Sequence, residues 1–197
     1  MSKFTPFEES LLVLTGLEKQ LEAALRSLVP ADRVGDDDLK WTVCNHIQIL
    51  LCSFLEEWRI FESFGKDSSV RDTLKIVSPA LGRIRRWTGL ARIRSTLLAH
   101  NQRDKEGNPV WTWDVFNSNE APTAYAETLL LGNLALFVVR ETRRRHHDVY
   151  HRAAQRLTQS YAPIKEQGIR TIGEMETVLQ RLKVQMSEIA EGFRLKR

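Results

Sequence analysis

Cysteine is scarce in this chain, two residues in 197, and their placement excludes a disulfide framework. Cys44 and Cys52 lie eight positions apart in one helical pattern, about 12 Å along a helix axis and too far to bridge each other. Two thiols without a framework point to a reduced, cytoplasmic setting. An apolar run long enough to cross a bilayer is also missing. The most hydrophobic stretch, Thr128 to Val139, is interrupted by Gly132-Asn133 and falls well short of the roughly 20 residues a spanning helix needs. The opening Met1-Ser-Lys-Phe-Thr-Pro6 lacks the charged-then-apolar pattern of a secretory signal. There are no internal repeats, no low-complexity tracts, no Gly-rich phosphate loop and no nucleophile elbow. The expectation is a soluble cytoplasmic protein with no membrane partner.

What is present is ordinary for a folded domain. With 42% hydrophobic and 27% charged residues, disorder is not the default. The length suits a single domain over 1–197 that buries about 70% of its unfolded surface. A net charge of +4 permits a polyanionic partner without demanding one.

The periodicity predicts helix nearly throughout. Thr5-Pro6-Phe7-Glu8 is a capping box with proline at the first helical position, and Leu14, Leu17, Leu21, Leu25 and Leu28 follow at helical spacing until Pro30–Gly35 is predicted to break the helix. Asp36-Asp37-Asp38 opens a second helix carrying Val43, Ile47, Leu50, Phe54, Trp58 and Phe61, with Gly65 as its stop. A third runs from Ser69, with a break and restart predicted at Ser78-Pro79. Thr88-Gly89 leads into a fourth. Residues 102 to 121 are turn-rich and then extended, a connection long enough to be functional. Residues 122 to about 160 read as one long helix. Finally Ile172, Met175, Leu179, Leu182, Met186, Ile189 and Phe193 repeat at strict 3-4 spacing, a coiled-coil-like seam. The predicted fold is all-α: an antiparallel helical bundle with one long inserted loop and a coiled-coil-like C-terminal helix.

The chemistry-bearing stretch is Arg94-Ser-Thr-Leu-Leu-Ala-His100-Asn101. On a helix Leu90, Ile93, Leu97 and Leu98 form one apolar stripe, Arg94 and Asn101 fall inside it, and His100 sits at its edge. A guanidinium enters an apolar face only at high cost unless it is paired. Arg94, five intervening residues and His100, near the end of a helix, followed by Asn101, resemble the HEPN superfamily of small helical-bundle proteins, whose shared motif is an Arg, four to six residues, then a His. The resemblance covers residues 36 to about 155, with 1–30 and 170–197 as flanking helices. It implies a dimeric, metal-independent endoribonuclease of the kind found in toxin–antitoxin or phage-defence systems, with an antitoxin or inhibitor protein as a further partner. The position after the arginine, often Asn, Asp or His in that family, is Ser95 here, which can still donate and accept hydrogen bonds.

Such a site needs little machinery. A ribose 2′-hydroxyl attacks the adjacent phosphate, His100 moves protons near neutral pH, and Arg94 presents a fixed planar charge to phosphate oxygens. The products would be a 2′,3′-cyclic phosphate and a 5′-hydroxyl. Six positions along a straight helix turn the two side chains about 120° apart, so a complete site is easier to build from two subunits about a twofold axis.

Other features carry two readings each. Arg94 and His100 also fit an arginine paired to a buried carboxylate and a helix-capping histidine. Asn101 orients His100, contacts substrate or caps the helix. Trp111 and Trp113 make a base-stacking platform or anchor the loop to the bundle. Arg83, Arg85, Arg86 and Arg92 form a patch that tracks a phosphate backbone or a solvated helix surface. The bare spacing recurs, since Arg140 precedes His146 and His147, and Arg144 and Arg145 precede His151. Those copies lie in the run Arg143-Arg-Arg-His-His, which reads as a solvated basic face. His46, between Val43 and Leu50, reads as a core histidine. His146, His147 and His151 with Asp148 do not complete a metal geometry, so no metal and no cofactor are expected. The competing class is a catalytically inactive helical module that binds a partner protein or nucleotide.

Overall fold

The computed structural model describes residues 4–90, 108, 121–160 and 168–194. The chain divides into two compact units, Met1–Gln159 and Ser160–Arg197. Among the described residues there are six helices and no strand: α1 (Pro6–Val34), α2 (Asp37–Glu62), α3 (Ser68–Arg85), α4 (Tyr125–Arg145), α5 (His147–Ser160) and α6 (Ile172–Arg194). No described helix is long and apolar enough to cross a membrane.

The helix starts follow local chemistry. The Thr5 and Glu8 side chains each accept from the other residue's backbone N–H, at 3.2 and 2.9 Å, closing the predicted capping box. The Asp36 carboxylate accepts from Leu39 N at 2.8 Å to open α2, and Asp67 does the same for Ser69 N at 2.7 Å ahead of α3. Two predicted breaks are absent. α1 runs through Pro30 to Val34 and ends at Gly35, which holds a left-handed φ of 71°. α3 runs through Pro79. Each proline is exposed, so the carbonyl that loses its helical partner turns to water and the usual penalty is reduced.

Unit 1 is an antiparallel bundle. Phe7, at the start of α1, stacks on Phe61, at the end of α2, with ring centroids 5.8 Å apart. α4 runs against α1, pairing Arg140 with Glu18 and bringing Phe7 onto His146 at 5.3 Å. It runs against α3 as well, from Glu127 beside Arg83 to Arg145 beside Thr73. The core is filled from α1, α2, α3 and α4 by Leu14, Leu21, Ile47, Phe54, Trp58, Val77, Ile84 and Val138, among others. Gly132 is the point of closest approach, since a Cβ there would meet Leu25 Cδ2 at 2.9 Å and Ile47 Cγ2 at 3.3 Å. A side chain at 132 would push α4 away from α1 and α2.

The single helix predicted over 122–160 is instead two, α4 and α5, broken at His146 (φ −110°, ψ 30°). The break turns the imidazole inward against Phe7 and Phe61. α5 follows the break, burying Ala153 and pairing Arg156 with Glu8 near the start of α1.

Unit 2 contains α6. Thr171 caps it by accepting from Glu174 N at 3.2 Å. Ile172, Met175, Leu179, Leu182 and Met186 on its seam are 42–73% exposed.

Candidate functional site

Arg92, Arg94, Ser95, His100, Asn101, Trp111 and Trp113 lie outside the described residues, as does most of the predicted inserted loop. The residues that bracket this stretch are described, and they converge on α2. Cys52 Sγ donates to the Leu90 carbonyl at 2.6 Å, and Gln48 Nε2 donates to the Pro122 carbonyl at 2.7 Å. Gln48 and Cys52 are four apart, so they lie side by side on one face of α2. The chain therefore leaves the flank of α2 at Leu90 and comes back one helical turn away at Pro122. Leu90, Ala121 and Pro122 are all buried. A second tie crosses the same base: Glu127 accepts from Trp87 Nε1 at 2.8 Å and pairs with Arg83 at 2.5 Å.

A polar signal was present in the sequence at these anchors. Gln48 and Cys52 interrupt an apolar stripe, and such residues survive in a core by bonding to something. In the sequence Cys52 shows only as a thiol outside any disulfide, and Gln48 belongs to no motif. The amide is also unfinished: Gln48 Oε1 and Asn45 Oδ1, three residues before it, are buried without a hydrogen-bond partner.

Beside the N-terminal anchor lies a cleft of about 310 Å³ lined by Leu55, Arg59, Arg85, Trp87, Thr88 and Leu90. Its lining carries the Arg59 and Arg85 guanidiniums and the Trp87 indole, groups that attract anions and aromatic rings. Its charge is partly neutralised, because Arg85 pairs with Glu62 at 2.7 Å. With Arg83 bound to Glu127, two members of the predicted basic patch are held by carboxylates rather than left to solvent.

The arginines of the other Arg–His copies are bonded within the bundle, Arg140 and Arg145 through part-buried contacts and Arg144 at the surface. Glu18 is buried on the leucine stripe of α1 and accepts from Arg140 Nε at 3.1 Å and Arg143 Nη1 at 2.7 Å. Arg144 makes two bonds to Glu141, at 2.8 and 2.6 Å. Arg145 Nε donates to Thr73 Oγ1 at 3.1 Å, and the same hydroxyl lies 3.1 Å from His146 Nε2. Burial pushes the His146 imidazole below its ordinary value, helped by the adjacent Arg145 charge and opposed by Asp67. The run expected to be a solvated basic face is thus divided: His146 is buried, while His147 and His151 stack on each other outside, 5.6 Å between centroids. His46, expected in the core, is exposed; its neighbours Ile47 and Gln48 occupy the inward positions of that turn. Burial likewise raises the Cys44 thiol, opposed by Lys40 and Thr128.

Among the described residues no group of three or more His, Cys, Asp or Glu side chains is gathered to hold a metal ion. No protein-family model matches the chain, and neither a curated protein nor a solved structure shows significant similarity to it.

Proposed function

We propose that this chain is a metal-independent endoribonuclease of HEPN type, working in the cytoplasm as a homodimer under the control of an antitoxin or inhibitor protein. His100 moves the proton of the attacking 2′-hydroxyl and of the leaving 5′-oxygen. Arg94 balances the charge that grows on the phosphate. Ser95 and Asn101 hold these two groups and the substrate, Arg92 extends the phosphate track, and Trp111 and Trp113 offer rings for base stacking.

One observation carries the reading. Of the Arg–His copies with this spacing, those at Arg140, Arg144 and Arg145 have guanidiniums committed to Glu18, Glu141 and Thr73. Arg94–His100 is the copy that the sequence sets on an apolar helical stripe of Leu90, Ile93, Leu97 and Leu98. The anchoring of Leu90 and Pro122 to one turn of α2 supports it further, because a catalytic segment needs a rigid base.

The test is cleavage of labelled total RNA and a tRNA pool in EDTA by wild type, His100→Ala and Arg94→Ala. Cutting by wild type that is lost in both variants is the expected result. Unchanged cutting by both variants would refute it. A second reading, an inactive module that binds a nucleotide, is favoured by the Arg59–Trp87 cleft. It would be supported by nucleotide binding that Arg59→Ala weakens, in a protein that cuts no RNA.

A further inference from the structure

The helix of unit 2 is more exposed than an amphipathic helix tolerates. α6 spans 23 residues, about 34 Å, and its seam residues Ile172, Met175, Leu179, Leu182 and Met186 are open to solvent. Helices in water are held mainly by burial of such a face rather than by intrinsic propensity. The 3-4 spacing is that of residues at the a and d positions of a heptad, the pattern that buries itself against another helix of the same kind.

The charges beside the seam select both partner and direction. With Leu179 at a and Leu182 at d, Glu176 and Lys183 fall at successive e positions, flanking the seam. Within α6 neither has an opposite charge three or four residues away, because those positions hold Ile172, Gly173, Leu179, Gln180, Met186 and Ser187. A parallel, in-register copy would set them against Thr171 and Val178 of the partner subunit, at g positions, and no charge would be matched. In an antiparallel pair e faces e. If Leu179 packs opposite Leu182 of the partner subunit, Met175 meets Met186 of the partner subunit. Glu176 then comes within about 3 Å of the level of Lys183 of the partner subunit, at 1.5 Å rise per residue. Twofold symmetry makes that ion pair twice.

We propose that α6 forms an antiparallel coiled coil with α6 of a second copy of this chain, centred between Leu179 and Leu182 and oriented by two Glu176–Lys183 ion pairs. The seam supplies the attraction, and the e-position charges set the direction. The inference takes up the homodimer of the proposed function and does not depend on its chemistry.

The test is the mass and dimer dissociation constant of the full chain by light scattering and sedimentation. The wild type should weigh about twice 22.7 kDa. Glu176→Lys and Lys183→Glu, both at exposed positions, each replace two attractions with two repulsions and should weaken the dimer by about tenfold or more. The double variant Glu176→Lys/Lys183→Glu restores opposite charges and should return the constant to within about threefold of wild type. A wild type of single-chain mass overturns both the pairing and the homodimer. A dimer whose constant is unmoved by either single reversal overturns this interface while leaving dimerisation elsewhere on the chain, and RNA cleavage, standing. Far-UV circular dichroism of each variant, unchanged in helix content, excludes misfolding as the cause of a lost dimer.

Discussion

Replacing Glu18 by glutamine probes the contact that ties the basic end of α4 to the first helix. The Glu18 side chain is 5% exposed and receives one guanidinium bond from Arg140 and one from Arg143, whose own side chains are 48% and 37% exposed. Glutamine matches glutamate in size and in helix propensity, so the change removes charge and one acceptor with little else. Two charge-assisted bonds are worth about 1.5–3 kcal/mol each when fully formed. The half-exposed arginines turn to water once released, which cuts the loss to about 2–3 kcal/mol in total. For a unit of this size each kcal/mol moves the melting temperature by about 2–4 °C, so Tm should fall by about 4–12 °C. Thermal and urea unfolding followed by far-UV circular dichroism reads this directly. A double-mutant cycle with Arg143→Met should return a coupling near half the total. A loss below about 0.5 kcal/mol, or no coupling, would refute the claim that Arg140 and Arg143 are committed to this carboxylate, and with it the argument that sets the Arg140–His146 copy aside.

Gly132→Val should destabilise unit 1 by about 1–3 kcal/mol, because its Cβ would sit 2.9 Å from Leu25 Cδ2. Gly132→Ala should cost less, since alanine gains about 1 kcal/mol of helix propensity; urea midpoints that rank the two the other way would contradict the close approach. His146 is held below its ordinary pKa by burial, so the native state binds fewer protons than the unfolded chain. Its contribution is complete above about pH 6.5 and is lost as pH falls toward the depressed native value. Urea stability should therefore drop between pH 7.5 and pH 5, and more in wild type than in His146→Gln; equal slopes would rule this out. Gln48→Leu removes the donor to Pro122 O and should speed limited proteolysis between residues 91 and 121 at least several-fold, whereas an unchanged rate would mean that this anchor does not hold the segment.

The parts of the fold legible in the sequence are those decided within a few residues. The Thr5–Glu8 box and the Asp36 cap are local hydrogen bonds, and the leucines of α1 declare their buried face by spacing alone. The prolines misled because their cost depends on which side of the helix meets water, and that is fixed by packing partners far along the chain. The break at His146 has the same origin: nothing in Arg145-His146-His147 reveals that Thr73, Phe7 and Phe61 wait on the inner side. Glu18 shows what was within reach. It interrupts an apolar stripe as Arg94 does, and its partners lie 122 and 125 residues away, so the anomaly was visible while its resolution was not. Gln48 and Cys52 were hidden differently, since a short polar side chain in a buried stripe resembles core until its acceptor is known.

The central claim is that Arg94 and His100, and not the Arg140–His146 copy, carry RNA cleavage. The most direct measurement compares cutting of a labelled tRNA pool in EDTA by His100→Ala and by Arg140→Gln, both checked for native helix content, with the new RNA ends identified. Arg140→Gln should still cut, leaving 2′,3′-cyclic phosphate and 5′-hydroxyl ends, while His100→Ala should not cut. Cutting that survives in His100→Ala and disappears in Arg140→Gln would contradict the claim.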